Sequence, residues 1–170
     1  IFEGTYLNFK YTVNTSDIDQ RFIIPNDNVD TNTLTVKVQE SSSDSTTNTY
    51  TLATGIIGLD STSKVFFLQE VENGRYEVTF GDGVLGKAVA DGNIIITDYI
   101  NTNTTEANSA TTFTLNGSIG GFSNATVTTV SDAGGGSLPE SITSIKYNAP
   151  RDYTAQDRAV TADDYKVLVK

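Results

Sequence analysis

Residues 81–87 read GDGVLGK and follow an alternating apolar stretch, so they satisfy both G-x-G-x-x-G and G-x-x-x-x-G-K, the spacings with which backbone amides cradle phosphate. Either chemistry needs more than glycines. A mononucleotide loop places a Ser or Thr hydroxyl directly after the lysine to hold magnesium, and here Ala88 follows Lys87. Both loops also need a helix whose amino terminus faces the phosphate. Only residues 87–90 separate this loop from the Asp91-Gly92 turn and the next apolar run. The glycines therefore read as a twisted hairpin connection, in which Phe80, Gly81, Asp82 and Gly83 set the turn and Gly86 and Lys87 lead out of it.

Carboxylates are the other reactive groups in supply. Glu70 and Glu72 at i,i+2 share one solvated face of a strand, and Asp163 and Asp164 have the placing of helix-start residues, so neither pair reads as glycoside chemistry. No D-x-[DN]-x-[DN]-G loop occurs to hold calcium. G-x-S-x-G is absent, and with no His there is neither a triad base nor the usual zinc ligand. No Cys supplies a thiolate or a disulfide. The sequence leads to a non-catalytic protein without a cofactor or resident metal. Sequons at Asn14, Asn103, Asn116 and Asn124 are what chance gives in a chain so rich in Asn and Thr.

The 170 residues can bury a real core, though a lean one: 37% are hydrophobic, and Tyr and Phe at eight each supply much of the area. Abundant Thr suits half-exposed strands, while Asn and Ser favour turns. A net charge of -10 argues against gripping nucleic acid or an anionic membrane, because such surfaces work through Lys and Arg. No apolar run approaches the roughly 20 residues that span a bilayer, and the start lacks the layout of a signal peptide. Ile1 in place of an initiator Met, and an end at Lys170 within a helix-like stretch, lead us to expect a piece of a longer protein.

Alternation at period two predicts strands over 5–13, 34–38, 50–52, 65–68, 76–80 and 94–100, with a short run over 21–24 stopped by Pro25. Turns fall at Asn73-Gly74, Asp82-Gly83 and Asp91-Gly92, and residues 41–48 have no apolar face and read as a loop. Weaker strand signals at 113–115 and 127–130 flank a glycine-rich turn at 117–121. After the glycines at 134–136 the grammar turns helical. Ser137 and Glu140 have capping-box spacing, with Ile142 and Ile145 following and Pro150 ending the segment. Thr161 and Asp164 repeat that spacing, with Val160 placed to staple against Tyr165. The fold expected is mainly β (α+β): a β-sandwich or small-barrel body over 1–134 and a helical segment over 135–170.

Three segments in this order resemble the baseplate J-like family, the wedge components of contractile phage tails, those of the T-even-type myophages in particular. They are RYEVTFGDGVLGKAVADGNIIITDY at 75–99, the helix around 140–145 ending in NAP at 148–150, and RAVTADDY at 158–165. EGTY at 3–6 and FIIPN at 22–26 are similar as well, whereas the Thr- and Asn-rich stretch after Asn101 departs from the family's compact glycine-rich link. The resemblance implies a structural role in the virion tail baseplate, made in the host bacterial cytoplasm: pairing with copies of itself and with other wedge and hub proteins, in a ring that reorganises on contraction. It implies no catalytic residue. Phe80, Gly81, Asp82, Gly83, Gly86, Lys87, Pro150, Arg158, Thr161, Asp164 and Tyr165 are its architectural positions, with Arg158 placed to anchor the linker by bidentate carboxylate pairing unless it is simply solvated. The competing expectation is an extracellular β-sandwich adhesin or carbohydrate-binding module, with Tyr6 or Tyr99 exposed as a sugar platform.

Overall fold

The computed structural model describes residues 2–155 and 162. Thr5–Thr12 (β1), Phe22–Ile23 (β2), Val29–Gln39 (β3), Thr47–Leu52 (β4), Val65–Glu70 (β5), Tyr76–Phe80 (β6) and Ile94–Asn101 (β7) are strands, and Ile142–Ala155 (α1) is helical. The seven strands form one sheet in the order β1-β7-β3-β4-β5-β6-β2. Its two edges approach each other: the Tyr11 hydroxyl on β1 donates to the Ile23 carbonyl on β2. Beside it, Gln20 Nε2 donates to the Thr12 carbonyl at 2.9 Å. The sheet is thus a nearly closed barrel with its core inside, the mainly β body anticipated from period-two patterning.

β7 lies between β1 and β3 and pairs antiparallel with both. Ile95, Thr97 and Tyr99 point inward with almost no exposure. They meet Val13, Val36, Val38, Tyr50, Phe66, Val78 and Ile24. A chain of tilted and edge-on rings, Phe9–Tyr11–Phe22–Phe80–Tyr50, with centroids 4.9–6.0 Å apart, fills the side where the sheet closes. β4 changes partner along its length. Residues 47–50 pair antiparallel with β3, and Thr51 and Leu52 pair parallel with Val65 and Phe66 of β5.

Four sequence expectations are corrected. Phe80-Gly81-Asp82-Gly83 does not set a hairpin, because β6 neighbours β5 and β2 whereas β7 neighbours β1 and β3; the loop carries the chain from one side of the barrel to the other. Pro150 does not end the helix, and Ser137 and Glu140 do not box its start. α1 begins at Ile142, capped by the Ser141 hydroxyl, which accepts from the Ser144 amide at 3.2 Å. Pro150 sits inside it. The Arg151 guanidinium donates to the Tyr147 carbonyl and stacks on the Tyr147 ring, which supports the backbone around the proline. Neither 113–115 nor 127–130 is a strand.

Residues 102–136 form an arm instead. At its base Thr102 N donates to the Asn28 carbonyl at 2.8 Å. Its legs are held by Ser109 N to Ala133 O at 2.8 Å and Ala133 N to Ala110 O at 2.9 Å. Asn108 adds a reciprocal clasp, its amide accepting from Gly136 N at 3.0 Å and donating to Gly136 O at 2.8 Å. A side chain at position 136 would collide with the Thr104 carbonyl, 2.1 Å from an ideal Cβ. The tip is a tight reversal in which Ile119 and Phe122 exchange backbone hydrogen bonds of 3.0 Å, with both intervening glycines at positive φ, the type I′ pattern. The helix start expected at Arg158, Thr161, Asp164 and Tyr165 lies outside the described residues.

Candidate functional site

The residues that resemble a phosphate loop are knotted into the protein. The Asp82 carboxylate accepts from the Val84 and Leu85 amides at 2.9 and 2.8 Å. Those bonds, Leu85 first, hold its pKa below the usual carboxylate value. A built-in anion therefore occupies the amide nest that a phosphate would need. Gly83 N donates to Gly86 O, and Gly86 N and Lys87 N donate to the Asp60 and Ser63 carbonyls at 2.9 and 2.8 Å. Gly81 packs so closely that a Cβ there would lie 2.3 Å from the Gly86 backbone. Lys87 pairs with Glu40 at 3.2 Å across a largely exposed surface. The loop staples residues 60–63 to the end of the barrel and leaves Val84 and Leu85 exposed.

A second polar constellation gave no motif. Asp98 of β7 points to the outer face of the sheet, yet is only 8% exposed. Its Oδ1 accepts from Asn8 Nδ2 at 2.6 Å and the Tyr6 hydroxyl at 2.9 Å. Its Oδ2 pairs with Lys37 Nζ at 3.0 Å. Burial alone would raise its pKa, but the bonds from Asn8, Lys37 and Tyr6 outweigh it and the net shift is downward. The hydrogen bond to Asp98 raises both Tyr6 and Lys37. This network ties β1, β7 and β3 together in a single ionised state and presents no reactive geometry. Glu77 is likewise consumed, in a bidentate pair with Arg21 at 2.6 and 2.9 Å.

Tyr99, weighed as a sugar platform, is in the core, its hydroxyl bonded to Asn26 Oδ1 at 2.6 Å. Tyr6 is exposed, but its hydroxyl is committed to Asp98. No group of three or more metal-ligating side chains occurs among the described residues, and no helix among them is long and apolar enough to cross a membrane.

What the surface offers is contact area. Residues 9–113, well over half of the chain, match the family described as bacteriophage baseplate wedge protein gp6, third domain. The chain belongs to that family. A comparison with curated proteins finds no match. The match runs from within β1 past the end of β7, so the barrel is the wedge-protein domain itself, and the tip of the arm and α1 lie beyond it. The protein is a structural component of the virion, located in the tail baseplate, as the resemblance implied. In this wedge domain the knotted 81–87 loop and the Asp98 network are internal braces of the barrel. Exposed large apolar side chains occur at the barrel end (Leu52, Ile56, Ile57, Val84, Leu85), along the arm (Phe113, Ile119, Phe122, Val127, Val130), on α1 (Ile142, Ile145, Tyr147, Tyr153) and singly elsewhere, as at Phe2, Ile18 and Leu138.

Proposed function

We propose that this domain holds wedge proteins together, associating with copies of itself and with other wedge and hub proteins to build a ring around the tail hub that rearranges on contraction. The observation carrying this reading is the family match across residues 9–113, all of the barrel but the first half of β1. It is supported by a surface whose ionisable clusters are internally satisfied while large apolar side chains stand exposed. We assign the chain within the wedge family to the T-even, baseplate J-like type on the segments at 75–99, 148–150 and 158–165. We also divide it near Gly135, with residues 1–134 as the β-rich body and 135–170 as a helical carboxy-terminal segment. The left-handed Gly135 supports that division.

Crosslinking with mass spectrometry on intact particles tests the assignment. Peptides of this chain should link to one another and to other baseplate proteins. Absence of the chain from purified particles, or links to capsid proteins alone, would overturn it.

A further inference from the structure

The two longest stretches of the sequence without a charged residue are 45–59 and 107–131, in a chain of net charge -10. The fold gives each a form. Residues 107–131 make up most of the arm, exposed throughout their outer part apart from half-buried Leu115, with Ile119 63% and Phe122 69% exposed at the tip. The paired glycines allow the tight reversal that sets the two side chains side by side at the tip. Residues 45–59 run through β4 into the barrel end. There Leu52, Ala53, Gly55, Ile57, Leu59 and Val65 line a cleft of about 410 Å³, with Thr54 the other lining residue and no charged side chain among them. Ile57 at its mouth is 98% exposed. The arm tip of the same molecule does not fill this cleft.

We propose that the arm tip of one copy, Ile119 and Phe122, seats in the Leu52–Ile57–Leu59 cleft of a second copy. This rests on the self-association reading above and names its surfaces. Electrostatics selects the occupant. Two chains of net charge -10 repel wherever acidic surfaces meet. The uncharged arm entering an uncharged cleft is a contact that two such chains can make without placing like charges within a Debye length of about 8–10 Å. Tab and slot are different surfaces, so two copies either close the contact reciprocally as a two-fold dimer or pass it from copy to copy as a ring or chain of subunits does, and the size of the associated species in sedimentation distinguishes the two.

Because the protein contains no cysteine, single engineered thiols report the contact directly. A Phe122→Cys protein mixed with an Ile57→Cys protein should give a mixed disulfide dimer well in excess of either homodimer, and of a control pair in which exposed Asp17→Cys replaces Ile57→Cys. In sedimentation equilibrium, Phe122→Ser and Ile57→Ser should each weaken self-association by about tenfold to a hundredfold, the factor expected when a large apolar side chain no longer gains burial. Raising salt from about 0.05 to 0.5 M should change the wild-type association less than about twofold. Both residues are exposed, so unchanged melting temperatures will exclude misfolding as the cause. Wild-type association that neither serine variant weakens, or a Phe122→Cys protein that links chiefly to itself, would overturn the tab-and-slot contact while leaving self-association standing. A wild-type chain that stays monomeric up to about millimolar concentration would overturn both.

Discussion

Replacing Asp98 with Asn keeps the shape of the side chain and removes its charge. One amide oxygen can still accept from Tyr6 and Asn8, but the atom facing the Lys37 ammonium at 3.0 Å becomes a donor. A hydrogen bond to a charged group contributes about 1.5–3 kcal/mol. The Lys37 side chain remains 35% exposed and recovers hydration when the partner is lost, which calls for a reduction. The expected loss is about 2 kcal/mol at neutral pH, or a melting temperature lower by about 4–8 °C for a domain of this size. The sign with pH follows from the depressed folded-state pKa of Asp98. Its stabilisation is complete above the unfolded carboxylate value near 3.9 and is lost as pH falls through the lower folded value. Urea unfolding of wild type and Asp98→Asn should therefore differ by a constant amount from neutral pH to about 5 and converge in acid. Equal stabilities at neutral pH, or a gap that persists unchanged to about pH 2, would refute the idea that the ionised carboxylate locks these strands.

Burial, and secondarily the neighbouring Tyr99, pushes the Tyr11 phenol up to about 12. Ultraviolet titration should show late-ionising tyrosines, among which Tyr6, Tyr50 and Tyr99 are also raised, and Tyr11→Phe should remove one of them. The stabilisation linked to Tyr11 is complete below the ordinary value near 10 and is lost as pH rises toward about 12, and Tyr11→Phe should remove that alkaline dependence. Gly81→Ala forces a Cβ to 2.3 Å from the Gly86 backbone and should cost about 3 kcal/mol by chemical denaturation, whereas Gly83→Ala has space and should cost only about 1–2 kcal/mol for its left-handed φ of 88°. Pro150→Ala restores a helical amide, worth up to about 3 kcal/mol locally. It should raise the helical circular dichroism signal without moving the barrel's unfolding midpoint, since α1 exposes Ile142, Tyr147 and Tyr153 rather than burying them in the core.

The strands were legible because each writes its own evidence: Leu34, Val36 and Val38, or Tyr76, Val78 and Phe80, alternate where one face is wet and the other dry. Which strand lies beside which is not written locally. Asp82-Gly83 looks the same in a hairpin as in a crossing loop, and only the distant partners of β6 and β7 distinguish the two. Pro150 misled because the rule for a helix interior is a free energy and not a prohibition; Arg151 reaching back to Tyr147 supports what the proline disturbs. Asp98 was missed for a related reason. Its partners Tyr6, Asn8 and Lys37 lie far away in sequence, and no spacing rule joins them. A trace existed nonetheless: one carboxylate set among IIIT and YIN is a charge that a strand between two neighbours must neutralise. The arm was hidden because its legs bond to each other without a sheet to join, so weak β patterning appeared where no strand forms.

The change of partner within β4 makes the barrel mechanically uneven. β1 and β7 are registered over eight residue pairs, whereas β4 and β5 meet only at Thr51–Val65 and Leu52–Phe66. Opposite that junction the wall is completed by side chains, Tyr11 to the Ile23 carbonyl and Gln20 to Thr12. The tube is thus a broad stave, β1-β7-β3-β4, and the hairpin β5-β6, joined by short pairings of two residues each, β4 to β5 and β6 to β2, and by the side chains that bridge β1 and β2. A pull across the strands should part these short pairings before it disturbs β1-β7-β3, and the amides of Thr51 and Ala53, which donate to Lys64 and Phe66 between β4 and β5, should exchange with solvent ahead of those in β7. A wedge domain built this way should yield first, under load, where the strand pairing is shortest.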